Sequence, residues 1–104
     1  MHSIALVLIA RNEARCIERC LGSARGLVDS MLVLDTGSTD DTCALAARTG
    51  ARVEQGSWHE DFARARNDAL ARADADWVLV LDADEWIAAG AEALAALRSV
   101  APAF

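Results

Sequence analysis

The chain has 104 residues, 54% of them hydrophobic and 25% charged, which fits one globular domain and argues against disorder. The formal net charge is −6 and no basic stripe exists, so a nucleic-acid backbone would meet a repulsive surface. All ten basic residues are arginine, which removes the lysine that a Walker-type phosphate loop or a Schiff base requires.

An apolar run predicts a first strand over residues 3–10. No Lys or Arg precedes it, and Arg11-Asn12-Glu13 follows where a secretory signal would carry small residues. No stretch approaches the roughly 18 apolar residues of a membrane span. A helix over 14–24 carries Ile17, Cys20, Leu21 and Ala24 at helical spacing, with Gly26 at its end. Cys16 and Cys20 lie one turn apart, a poor geometry for a disulfide or a zinc site. With Cys43 they make an odd count, and free thiols fit a reducing cytoplasm.

Met31-Leu32-Val33-Leu34 predicts strand two, ending at Asp35. Ser38, with Asp41 three residues on, predicts a capping box for a helix through Arg48, and Gly50 stops that helix. Residues 52–55 form a short polar strand suited to a sheet edge. A loop over 56–60 leads to a helix over 61–73. Trp77-Val78-Leu79-Val80-Leu81 predicts a fourth strand, apolar enough for burial on both faces. A last helix spans 88–100, with Pro102 just beyond.

Strands alternating with helices predict an α/β fold with a parallel sheet, in the spatial order 3-2-1-4. In such sheets the ligand crevice lies beyond the carboxyl ends of the strands. Arg11-Asn12-Glu13, Asp35 and Asp82-Ala83-Asp84 all fall on that rim. Asp82 and Asp84 stand at i and i+2 of an extended segment, so they point the same way. Two hard oxygen donors suit Mg²⁺ or Mn²⁺, whose other positions go to water and a substrate phosphate. The competing account is an acidic strand end that merely favours a turn and is solvated.

Four stretches together resemble the nucleotide-binding half of the family 2 glycosyltransferases, inverting enzymes of GT-A fold. They are Ile9-Ala10-Arg11-Asn12-Glu13, Val33 to Asp40, Trp58 with Asp61 to Asn67, and Leu79 to Glu85. The Trp58 and Asp61-Phe62 pattern resembles a bacterial branch that modifies lipopolysaccharide cores or other surface glycans.

The resemblance implies a Rossmann-like GT-A domain over 1–104 that binds a nucleotide-diphosphate sugar, UDP-linked, through Mg²⁺ or Mn²⁺, for transfer to a glycan or lipid-linked acceptor. Ala10, Arg11, Asn12 and Glu13 would border the uridine, and Asp35 would hydrogen-bond the uracil. Many relatives carry Asp or Gly at the position of Thr36, so the base preference stays open. Arg66 would lie near the base or pyrophosphate. Asp82 would face ribose or metal, and Asp84 would ligate the metal.

Each residue also has a plain structural account. Arg64 and Arg66 share a helix with Asp61 and Asp68 and can form exposed ion pairs. Glu13 suits a first helical turn, Asp35 a turn and Ser38 a cap. Trp58, Trp77 and Trp86 suit packing, His59 a loop, and His2 a frayed terminus.

In the family the general base follows well after the Asp-x-Asp. Here only Glu92 follows Glu85, on an amphipathic helix, so the expectation is a donor-binding half truncated before its acceptor half. The fourth strand would then be an apolar edge able to pair with a second copy. The alternatives are a nucleotide-sugar-binding module without turnover and an Asp-based phosphotransfer protein. The latter's usual pattern requires a lysine that the chain lacks.

Overall fold

Three apolar runs and one short polar strand lie side by side. In the computed structural model, which describes residues 2–56, 62–73 and 75–81, strands β1 (Ile4–Ala10), β2 (Ser30–Asp35), β3 (Arg52–Gln55) and β4 (Trp77–Val80) form one parallel sheet. Its order is β3-β2-β1-β4, the predicted one. Helices α1 (Ile17–Ala24), α2 (Thr42–Arg48) and α3 (Phe62–Arg72) connect successive strands. The predicted helix over 88–100 lies outside the described residues, and so does most of the loop over 56–60.

Alternation along each strand sorts the core into two layers. Ile4, Leu6, Leu8 and Val33 pack with Ile17, Cys20 and Leu21 of α1 and Ala46 of α2. On the other face Val7, Leu32 and Leu34 pack with Ala69 of α3. Both faces of β1 are therefore covered, which explains its unbroken apolar sequence. Each fully buried Leu or Ile contributes about 1.5–3 kcal/mol by leaving water.

Helix boundaries follow the hydrogen bonds. α1 begins later than predicted because residues 14–16 form a turn, with the amides of Cys16 and Ile17 both donating to the Glu13 carbonyl at 3.1 and 2.9 Å. α2 ends as predicted: Gly50 takes φ 103° and the Ala51 amide reaches back to the Ala46 carbonyl at 3.1 Å.

The predicted capping box is corrected. Asp41 is the N-cap residue of α2 and makes no side-chain cap bond. The Thr42 amide donates instead to the Asp40 carboxylate at 3.0 Å, and Ser38 turns to Asp35. Asp35 and Asp40, as close in sequence as the predicted pair, take the donors instead.

β3 lies at a sheet edge, as its polar sequence predicts. Burial of β4 on both faces is also corrected. Trp77, Val78 and Leu79 are half-buried and Val80 is 37% exposed. Among the described residues β4 pairs with β1 alone, and one flank lacks a neighbour. His2 does not fray: it is half-buried, and its Nδ1 lies 3.5 Å from Asp76. Among the described residues no helix is long and apolar enough to cross a membrane.

Candidate nucleotide-binding rim

Parallel pairing brings the strand ends to one rim. Ala10 is in register with Asp35, and Asp35 with Gln55. The loops leaving β1 and β2 therefore start side by side, and the structure laces them together.

Asp35 is 1% exposed. Its Oδ2 accepts the Gly37 and Ser38 amides at 3.2 and 3.0 Å, and its Oδ1 accepts the Ser38 hydroxyl. Gly37 makes this tight turn with φ 117°, a left-handed conformation that favours glycine. Burial pushes the Asp35 carboxyl up, but the donors from Ser38 and Gly37 outweigh it and hold the group below the usual carboxylate range. The nearby Cys43 thiol is pushed up, first by burial and also by the Asp35 charge, so it stays protonated at neutral pH.

Asn12 takes φ 55°, a conformation Asn tolerates better than most residues. Its amide donates to the Ser38 hydroxyl oxygen at 2.9 Å, and its side-chain oxygen accepts the Thr39 amide at 2.8 Å. The Glu13 amide donates to Thr42 Oγ1 at 2.9 Å, and Thr42 in turn donates to Asp40. The Ala14 amide reaches the other Asp40 oxygen at 3.3 Å. Three consecutive amides of the first loop are thus bound by side chains of the second. They are not presented as a bare anion cradle.

Of the predicted residues, the structure brings together Ala10, Arg11, Asn12, Glu13 and Asp35. Ala10 is 2% exposed and its carbonyl accepts the Thr36 amide at 3.0 Å. Arg11 and Asn12 are exposed, and Glu13 is half-buried with an oxygen 3.2 Å from the Cys16 thiol. Arg66 is exposed on α3, which packs on the sheet face opposite the α1–α2 layer. Asp82 and Asp84 lie outside the described residues, with Trp58, His59 and Trp86. Among the described residues no three His, Cys, Asp or Glu side chains group as a metal site. Sequence reasoning missed Thr39, Asp40 and Thr42, although Asp-x-Thr before a helix is itself a capping signal.

Comparison with known proteins decides the family. The model of glycosyl transferase family 2 matches residues 5–96. The chain belongs to glycosyl transferase family 2. A TPR repeat-containing protein of Synechococcus elongatus is 49% identical over 85 residues, which cover 82% of this chain and 21% of that protein. An uncharacterized glycosyltransferase of Rickettsia felis is 38% identical, covering 82% of this chain and 30% of that protein. The chain therefore spans less than a third of either relative.

Among solved structures, glucosyl-3-phosphoglycerate synthase of Mycobacterium tuberculosis, crystallised with Mn²⁺, UDP and glucosyl-3-phosphoglycerate, superposes with TM-score 0.71. It is 34% identical, over 79% of this chain and 33% of that one. Mannosyl-3-phosphoglycerate synthase of Rubrobacter xylanophilus gives TM-score 0.71 at 30% identity, over 80% of this chain and 31% of that one. The four-stranded parallel sheet of order 3-2-1-4, flanked by helices, matches these neighbours in a GT-A, Rossmann-like fold.

Proposed function

We propose that this chain is the donor-binding part of an inverting family 2 glycosyltransferase, holding a UDP-linked sugar at the rim formed by β1, β2 and β4. The observation that carries the reading is the 34% identity and TM-score 0.71 to a synthase crystallised with Mn²⁺ and UDP. Arg11, Asn12 and Glu13 border the nucleoside, and buried Ala10 and Asp35 form the floor of the base pocket. Arg66 serves the base or pyrophosphate from α3.

Asp82 faces the ribose or the ion, and Asp84 ligates Mg²⁺ or Mn²⁺. This donor set fits a hard divalent cation, because carboxylate oxygens match its preference and leave positions for phosphate. The ion would neutralise charge on the departing diphosphate. The pattern at Trp58 and Asp61-Phe62 supports a lipopolysaccharide-core or other surface-glycan acceptor, and three cysteines outside any disulfide support a cytoplasmic site.

Calorimetric titration with UDP tests this reading. Affinity is expected with Mn²⁺, with at least a tenfold loss under chelator or in Asp84→Ala. Equal affinity in all three conditions would overturn it. A transfer assay separates an enzyme from a module that binds the nucleotide sugar without turnover.

A further inference from the structure

Two relays of the same design link the first loop to the second. In one, the Asn12 amide donates to Ser38 Oγ at 2.9 Å, and the Ser38 hydroxyl donates to Asp35. In the other, the Glu13 amide donates to Thr42 Oγ1 at 2.9 Å, and the Thr42 hydroxyl donates to Asp40. A hydroxyl has one proton and two lone pairs. Each carboxylate claims that proton, so the lone pairs must face the amide. The direction of both relays is thereby set.

The charge states agree with this direction. Asp35 and Asp40 are both held below the usual carboxylate range, Asp40 chiefly by the Thr42 hydroxyl. Both stay ionised, and acceptors only, at neutral pH. The relay residues differ in burial: Thr42 is 0% exposed and Ser38 half-buried, whereas Arg11 and Asn12 are exposed. The hydroxyls therefore hold the backbone of the loop whose side chains carry the proposed ligand contacts.

We infer that Ser38 and Thr42 are positioning residues of the nucleotide site: each holds a backbone amide of the Arg11-Asn12-Glu13 loop, and so fixes where Arg11 and Glu13 meet the ligand. This deepens the nucleotide-binding reading and rests on it. Neither hydroxyl is assigned a contact with the nucleotide. Without them the amides of Asn12 and Glu13 lose their partners, and the loop samples other conformations. Affinity then falls by the fraction of time spent in the competent one.

The test uses this chain with Mn²⁺ and UDP or CDP as probes, in wild type, Ser38→Ala, Thr42→Val and Thr42→Ser. Thr42→Val keeps the volume of Thr42 and removes only its hydrogen bonding, whereas Thr42→Ser keeps the hydroxyl. Expected is a roughly tenfold weaker UDP affinity for Ser38→Ala and Thr42→Val, with most of the loss recovered in Thr42→Ser. The ratio of UDP to CDP affinity should stay constant, because a positioning residue does not read the base. In the folded variants, the amide exchange of Asn12 or Glu13 should accelerate at least tenfold.

Wild-type affinity in both variants would overturn the inference. So would Thr42→Ser as weak as Thr42→Val, or a changed UDP to CDP ratio, since the latter makes the hydroxyl a ligand contact. Absence of UDP binding by the wild type would overturn the nucleotide reading itself. In that event, exchange at Asn12 and Glu13 unaffected by the variants would also remove the relays.

Discussion

Ser3 and Asp76 exchange hydrogen bonds across the amino-terminal end of the sheet. The Ser3 amide donates to the Asp76 carboxylate at 2.9 Å, and the Asp76 amide donates to Ser3 Oγ at 3.0 Å. Asp29 does the same service on the other side of β1, accepting the Ile4 amide at 2.7 Å. These carboxylates pin the starts of β1, β2 and β4, while the opposite rim carries the laced loops. Acidic residues thus hold both ends of a parallel sheet whose central strands β1 and β2 are apolar between those ends.

That arrangement predicts acid lability. The Ser3 amide holds Asp76 below the usual carboxylate range, and Asp35 and Asp40 are shifted the same way. A depressed carboxylate stabilises the fold above its unfolded pKa, near 3.8, and that contribution is lost as pH falls through the lower folded value. Urea midpoints should therefore be insensitive to these groups from pH 7 to about 5 and fall steeply below about 4. Asp76→Asn should flatten part of the acid limb. An acid limb unchanged in that variant would contradict the assignment.

Gly56 should not tolerate a side chain. A methyl built there would lie 2.9 Å from Cγ and Cδ1 of Leu34, which is wholly buried between β2 and α3. Leu34 has no solvent to retreat into, so Gly56→Ala should destabilise by about 1–3 kcal/mol. Chemical denaturation monitored by far-ultraviolet circular dichroism measures this, and a neutral variant would show that the contact relaxes freely.

Arg72 ties α3 to the edge strand. Its guanidinium reaches Asp68 at 3.0 Å, Glu54 at 3.2 Å and the Gln55 carbonyl at 3.2 Å. The pairs are partly solvated, so Arg72→Ala should cost only about 1 kcal/mol. Arg72→Lys should recover less than half of it, because an ammonium cannot span the same set of acceptors. Full rescue by Lys in a thermal melt would show that charge alone matters.

Association through β4 is expected. Val80 is 37% exposed, and among the described residues the strand has one free flank. An apolar edge invites pairing with another chain, and a charge placed there blocks it. Sedimentation should show concentration-dependent self-association that Val80→Lys shifts towards monomer. A wild-type chain that stays monomeric at high concentration would contradict this.

The sheet was legible because its signals are local. Residues 3–10 and 77–81 are apolar runs of strand length, and polar Arg52–Gln55 reads as the edge it occupies. Ile17, Cys20, Leu21 and Ala24 repeat at helical spacing and are all buried. Burial of β4 on both faces was not legible, because apolar composition does not distinguish a central strand from the edge that β4 occupies among the described residues.

The residues themselves determined the alternation of strands and helices, the layer each side chain joins, and an acidic rim, since periodicity and burial act within a few positions. Only tertiary structure decided that Ser38 holds the Asn12 amide and that Thr42 holds the Glu13 amide. Those partners are 26 to 29 residues apart between the loops. Which amide a hydroxyl receives depends on how the two strand ends meet, and that follows from the parallel register, with no local pattern to record it.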